Sequence, residues 1–113
     1  MPVNSKAKGK RFELRLAGIL RSYGFQDCRR SAQYCGNTGD AADIVGLPGI
    51  HVEAKHQEKM ELYKWIGQAV RDHKSPQLPV VFHTKNNADI LVAMRLDDFM
   101  QIYCNSDFPA KEG

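Results

Sequence analysis

Apolar positions along the chain fall into two rhythms, one of period near 3.6 and one of alternation or continuous runs. Over residues 6–23, Phe12, Leu16, Ile19, Leu20 and Tyr23 recur at three- and four-residue steps, which predicts a helix with one apolar stripe. Asn4 or Ser5 can cap its start, and Gly24 is placed to stop it. Residues 25–34 read as a strand with a basic middle, Cys28-Arg29-Arg30-Ser31, and 33–41 as a Gly- and Asn-containing loop. Two short β-type runs at 43–46 and 50–55 then flank the turn signal Leu47-Pro48-Gly49. A second helix is predicted over 61–73, where Leu62, Trp65, Ile66, Ala69 and Val70 form a stripe. Residues 78–84 and 88–94 are apolar strands joined by Lys85-Asn86-Asn87; their near-continuous apolarity predicts burial on both faces. A short helix at 96–103 closes the chain, and the arm at 1–5 and the tail from Asn105 are expected to fray. The order helix, three strands, helix, two strands, helix is that of a small mixed α/β sandwich, with helices packed on a central sheet.

A length of 113 residues suits one domain with one core. The net charge of +3 is compatible with an anionic partner, and its distribution is more informative than its size. Lys6, Lys8, Lys10, Arg11 and Arg15 crowd the first helix, and Arg29-Arg30 follow; charge alone fits a solvated helix face equally well. Three cysteines without framework spacing, and no signal peptide or long apolar run, suggest a reducing cytosol and no membrane association. Cys28 and Cys35 lack the Cys-x-x-Cys spacing of a structural zinc site.

The chemistry concentrates in the predicted hairpin. On its second strand Glu53 and Lys55 share a face, with Val52 and Ala54 on the other. A two-residue loop of Pro48-Gly49 would set Asp43 opposite Ala54, on the wrong face. An odd-length loop of Leu47-Pro48-Gly49, or a bulge at Gly46 or Gly49, sets Asp43 opposite Glu53, and this irregular register is the expected one. Asp43 and Glu53 could then hold a hard divalent cation beside the Lys55 ammonium, a set suited to phosphodiester hydrolysis. Glu13, on the flank of the first apolar stripe, is either a surface group paired with Lys10 or Arg11 or a carboxylate aimed toward a site. Trp65 reads as a core anchor rather than a base-stacking platform, and Gln68 beside it is within reach of the hairpin's open face. Other chemistries find no support: His51-Val52-Glu53 lacks the downstream Pro-Cys-x-x-Cys of zinc deaminases, and there is no Gly-x-Ser-x-Gly elbow or Walker loop.

Asp43 followed by Glu53-Ala54-Lys55 resembles the signature of the PD-(D/E)xK nuclease superfamily, with Ala42 where the family has its Pro. Gly9-Lys10-Arg11-Phe12-Glu13, then Gly24-Phe25, then Arg29-Arg30-Ser31 precede it in order. Over about residues 6–56 the chain thus resembles archaeal-type Holliday junction resolvases and their phage-encoded relatives. The resemblance implies a restriction-endonuclease-like α/β fold of order αβββαββα. Glu13, Asp43 and Glu53 would be metal-binding acids for Mg²⁺, with Mn²⁺ able to substitute, Lys55 the catalytic lysine and Gln68 an accessory residue. Ser31, Arg29 and Arg30, with Lys8, Lys10 and Arg11, would contact DNA, and Asp40 is a competing acid ranked below Asp43. The implied activity is resolution of four-way DNA junctions by paired nicks from a symmetric homodimer. The alternatives are a related nuclease acting on flaps, ends or foreign duplex, and a non-catalytic basic nucleic-acid-binding module.

Overall fold

The computed structural model describes residues 5–31 and 42–108. Asp40, Cys35 and Asn4 lie outside the described residues, as does the whole of the expected 33–41 loop. The elements are α1 (Ser5–Ser22), β1 (Arg29–Arg30), β2 (Ile44–Val45), β3 (Ile50–His56), α2 (Leu62–Asp72), β4 (Leu78–Thr84), β5 (Leu91–Ala93) and α3 (Leu96–Cys104). This is the αβββαββα order, a central mixed sheet with helices on it. The sheet runs β1-β2-β3-β4-β5, and only β3 and β4 are parallel.

Strand alternation divides the core in two. Val52 and Ala54 of β3, Val80 and Phe82 of β4 and Ile44 of β2 pack under Phe12, Leu16 and Ala17 of α1. Burial among them pushes the Cys28 thiol pKa up, so this cysteine serves as an uncharged apolar filler. On the opposite face Trp65 and Ala69 of α2 pack on Val81, with Leu62, Ile66 and Ala93 around them. Trp65 is a core anchor, its ring 4.8 Å from that of His83.

Three expectations are corrected. The strand foreseen over 25–34 is only Arg29–Arg30 among the described residues, and Phe25 is exposed. Tyr23 lies beyond the end of α1 in the turn and is three-quarters exposed rather than part of the stripe. The second apolar strand is not central: β5 pairs on one side alone, and Leu91 and Val92 stay more than half exposed. Apolarity marked both 78–84 and 88–94, but position in the sheet decides burial. β4 has a strand on each side, β3 and β5, whereas β5 pairs with β4 alone among the described strands. The closing helix α3 likewise leaves Leu96, Phe99, Met100 and Ile102 exposed and buries only Asp98, which pairs with Arg95 at 2.9 Å.

The β2–β3 connection has the odd length that the chemistry required. Ile44 pairs with Val52, which leaves Leu47-Pro48-Gly49 as a three-residue loop between Gly46 and Ile50. Pro48 and Gly49 occupy the two central positions of a turn closed by Ile50 N–H donating to the Leu47 carbonyl, with Gly49 at φ +78°. At Gly46, φ is +97° and the backbone of Asp27 passes so close that a Cβ would stand 2.2 Å from its carbonyl oxygen. Gly46→Ala is therefore expected to lower stability by about 2–4 kcal/mol, read as a drop in the urea midpoint. Gly67→Ala, in open space mid-way along α2, is expected to raise stability by about 1 kcal/mol in the same experiment.

Candidate active site

The three-residue loop fixes the β2–β3 register at Ile44–Val52, and one regular step further would set Asp43 level with Glu53. The backbone departs from that regular step: Asp43 N–H donates to the Val52 carbonyl at 2.8 Å, so Asp43 and Ile44 both stand against Val52, as in a β-bulge. On the other side Ser31 N–H donates to the Asp43 carbonyl at 3.0 Å. Ser31 and Asp43 thus form a row beside β3, continuing the β1–β2 pairing by one step. The Asp43 carboxylate also acts as a strand partner, its Oδ2 accepting the Ala54 N–H at 2.8 Å. That bond stands in for a backbone carbonyl where β2, only two residues long, has run out.

Along β3 the side chains of His51, Glu53 and Lys55 project from one face in steps of two. Glu53 is 3% exposed, and among the described residues its two oxygens have long contacts, 3.4 Å to His51 Nε2 and 3.9 Å to Lys55 Nζ. Lys55 Nζ in turn donates to Gln68 Oε1 of α2 at 3.0 Å. The helix stripe that buries Trp65 and Ala69 leaves Gln68 on its flank, facing the strand that carries Lys55. A buried carboxylate, a lysine and an amide are therefore brought together by two consecutive elements, β3 and α2.

Glu13 follows neither of its two sequence readings as drawn. It is bonded to neither Lys10 nor Arg11; its Oε1 lies 2.6 Å from Arg30 Nε on β1. α1 packs on the sheet face opposite Glu53, and Arg30, paired with Ile44, projects toward that same α1 side. Among the described residues no three His, Cys, Asp or Glu side chains converge as a ready ion cage. Arg29 and Arg30 are split by strand alternation: Arg29, opposite Val45, projects to the other face and bonds the Asp27 carbonyl at 3.2 Å. Ser31 Oγ is buried without a hydrogen-bond partner among the described residues, in the row beside Asp43. Lys10 and Arg11 are exposed on α1, and Lys8 is partly buried there.

His51 is the residue that sequence reading passed over. It is 1% exposed and lies against the Glu53 carboxylate. The signal was present in the alternation His51, Glu53, Lys55, which places all three on one face.

No curated protein and no solved structure matches the chain. A family model does: the one described as "phage putative PDDEXK endonuclease" matches residues 4–111, nearly the whole length. The five-stranded mixed sheet between helices is the restriction-endonuclease-like arrangement of such domains. With Asp43 and Glu53-Ala54-Lys55 standing on adjacent strands of that sheet, the chain belongs to the phage PD-(D/E)xK endonuclease family.

Proposed function

We propose that this protein is a Mg²⁺-dependent, structure-selective DNA endonuclease that resolves four-way junctions as a homodimer. The observation that supports the reading is that Glu53 and Lys55 project from one face of β3, with Asp43 bonded to the same strand at Ala54 and Gln68 seated on the lysine.

The donor set fits a hard divalent cation. Burying the Glu53 carboxylate with contacts no shorter than 3.4 Å leaves its charge under-compensated, which is costly unless a cation joins it. Asp43 and Glu53 offer carboxylate oxygens, the ligand type Mg²⁺ and Mn²⁺ take, with remaining positions left to water and phosphate. Glu13 would join them only by exchanging its bond with Arg30. When bound, the ion supplies Lewis-acid activation of water and offsets charge on the phosphate. The chain's own groups do the rest. Lys55 brings a fixed positive charge against the phosphate as negative charge develops, and Gln68 holds that ammonium in place. Arg29, Arg30 and the lysines of α1 bind backbone phosphate, which favours recognition of DNA shape over sequence. Paired nicks need two sites related by a two-fold axis, and the exposed Phe99, Ile102 and Phe108, with Tyr103, offer apolar surface for that contact.

Incubation with a synthetic four-way junction, beside flap, duplex and single-stranded controls, is expected to give paired symmetric nicks in Mg²⁺ and none with chelator. Cutting of flaps or duplex instead would assign a related nuclease, and tight binding without cutting would assign a binding module. Glu53→Gln is expected to abolish cleavage while junction binding persists; retained cleavage overturns the role given to Glu53. Asp43 separates structure from chemistry. Asp43→Ala strips the Ala54 N–H of its acceptor and is expected to cost about 1–3 kcal/mol in denaturant titration. Asp43→Asn keeps an acceptor oxygen, so it should stay near wild-type stability and still lose cleavage.

A further inference from the structure

We infer that one DNA strand leaves the reaction centre through a cleft at the C-terminal end of β3, where Lys8 and Lys59 hold a backbone phosphate next to the one at Lys55. The inference rests on the nuclease reading above and assigns part of the substrate's path.

The cleft has a volume of about 550 Å³ and lies between the N-terminal part of α1 and the connection from β3 to α2. Lys8 and Gly9 line it from the helix, and Ala54, Lys55 and His56 line it from the strand end. Because β3 stops at His56, the cleft passes around the strand's end and reaches residues of both faces, Ala54 from one and Lys55 from the other. Ligands of open α/β sheets bind in such crevices beyond the carboxyl ends of strands. Here the crevice shares Lys55 with the proposed reaction centre.

Its charge is one-sided. Lys8, Lys55 and Lys59 line it against a single acid, Glu58. Glu58 is engaged: its Oε2 accepts the Asn86 N–H at 2.8 Å, which ties the cleft to the β4–β5 turn. The His56 ring is fixed in the same way, 3.2 Å from Asn86 Oδ1 and edge-on to Phe12 at 6.0 Å between centroids. Lys8 and Lys59 differ from these. Neither ammonium has an ion pair or hydrogen bond among the described residues, although acids elsewhere on the surface are paired. Two unpartnered ammonium groups on opposite walls of a fixed cleft form a site for an anion. One that shares a wall with Lys55 is placed for the next phosphate of the same strand. Lysine suits this task as a point charge on a flexible stem, reading phosphate without reading sequence.

The test measures binding apart from cleavage. Fluorescein-labelled four-way junction and single-stranded DNA are titrated by anisotropy in chelator, across a salt series, with the full chain and with Lys8→Gln, Lys59→Gln, Glu58→Gln and Arg71→Ala. Each lysine variant is expected to weaken binding several-fold and to lower the salt slope by about 0.7–1. Glu58→Gln, which keeps an oxygen for Asn86, is expected to tighten binding. Arg71→Ala, at the far end of α2 and 70% exposed, is the control expected to leave affinity near wild type. Unchanged affinity and slope in both lysine variants overturn the inference, even if the wild-type chain cuts junctions. A wild-type chain that binds but never cuts, with the lysine variants weakened, would remove the nuclease reading and leave the cleft as the DNA site.

Discussion

The register of the β2–β3 hairpin is the constraint on which the site depends. A strand has a side-chain period of two, so a loop shorter by one residue would turn Ile44 away from the α1 core and carry Asp43 off its bond to Ala54. The three-residue loop prevents this, and it is held from two sides. Pro48-Gly49 supplies a turn that closes on Ile50. The backbone of Asp27 closes over Gly46 at a distance no side chain tolerates, which pins the entry to β1 against the same hairpin. The local turn chemistry and the packing of β1 thus demand the same alignment.

That alignment gives the sheet two unlike faces. The α1 face is filled by aliphatic side chains and Phe12, as a core of interdigitated layers requires. The α2 face is apolar only where Trp65 and Ala69 meet Val81; toward the hairpin it carries His51, Glu53 and Lys55. Charge so buried persists when it is paired, and here the pairing is loose: two long contacts for Glu53, one good hydrogen bond for Lys55. A strand that buries a carboxylate beside an ammonium without closing the bond between them keeps both available to a phosphate and a cation. The cost is offset by the apolar packing of the same strand's other face.

At the sheet's opposite margin the polarity is reversed. β5 and α3 expose Leu91, Val92, Leu96, Phe99 and Ile102 where no other part of the described chain covers them. The proposed DNA site and the apolar surface therefore sit at separate ends of the sheet, β1–β3 for the first and β5–α3 for the second. A dimer formed through the second would leave both copies of the first open to DNA.

Much of this was legible in the amino-acid sequence because it follows from local periodicity. The two stripes, Phe12-Leu16 and Trp65-Ala69, fell at helical spacing, and the turn residues punctuated the strands, so the element order αβββαββα could be read directly. The site's two strands were legible as well, since alternation alone puts Glu53 and Lys55 on one face. Tertiary structure decided what periodicity does not carry. Residues 78–84 and 88–94 are alike in hydropathy, and only strand order made one the centre and the other the edge. Glu13 could pair with its helical neighbours or reach toward a distant site, and the packing of α1 against β1 gave it to Arg30. Arg29 and Arg30 are adjacent in sequence and face opposite sides, a separation that depends on their forming a strand at all. Likewise Lys8 and Lys59, fifty-one residues apart, meet across one cleft because β3 ends beside the start of α1. Local sequence determines which elements form and which side of each is apolar, and long-range packing determines which polar groups those elements bring within reach of one another.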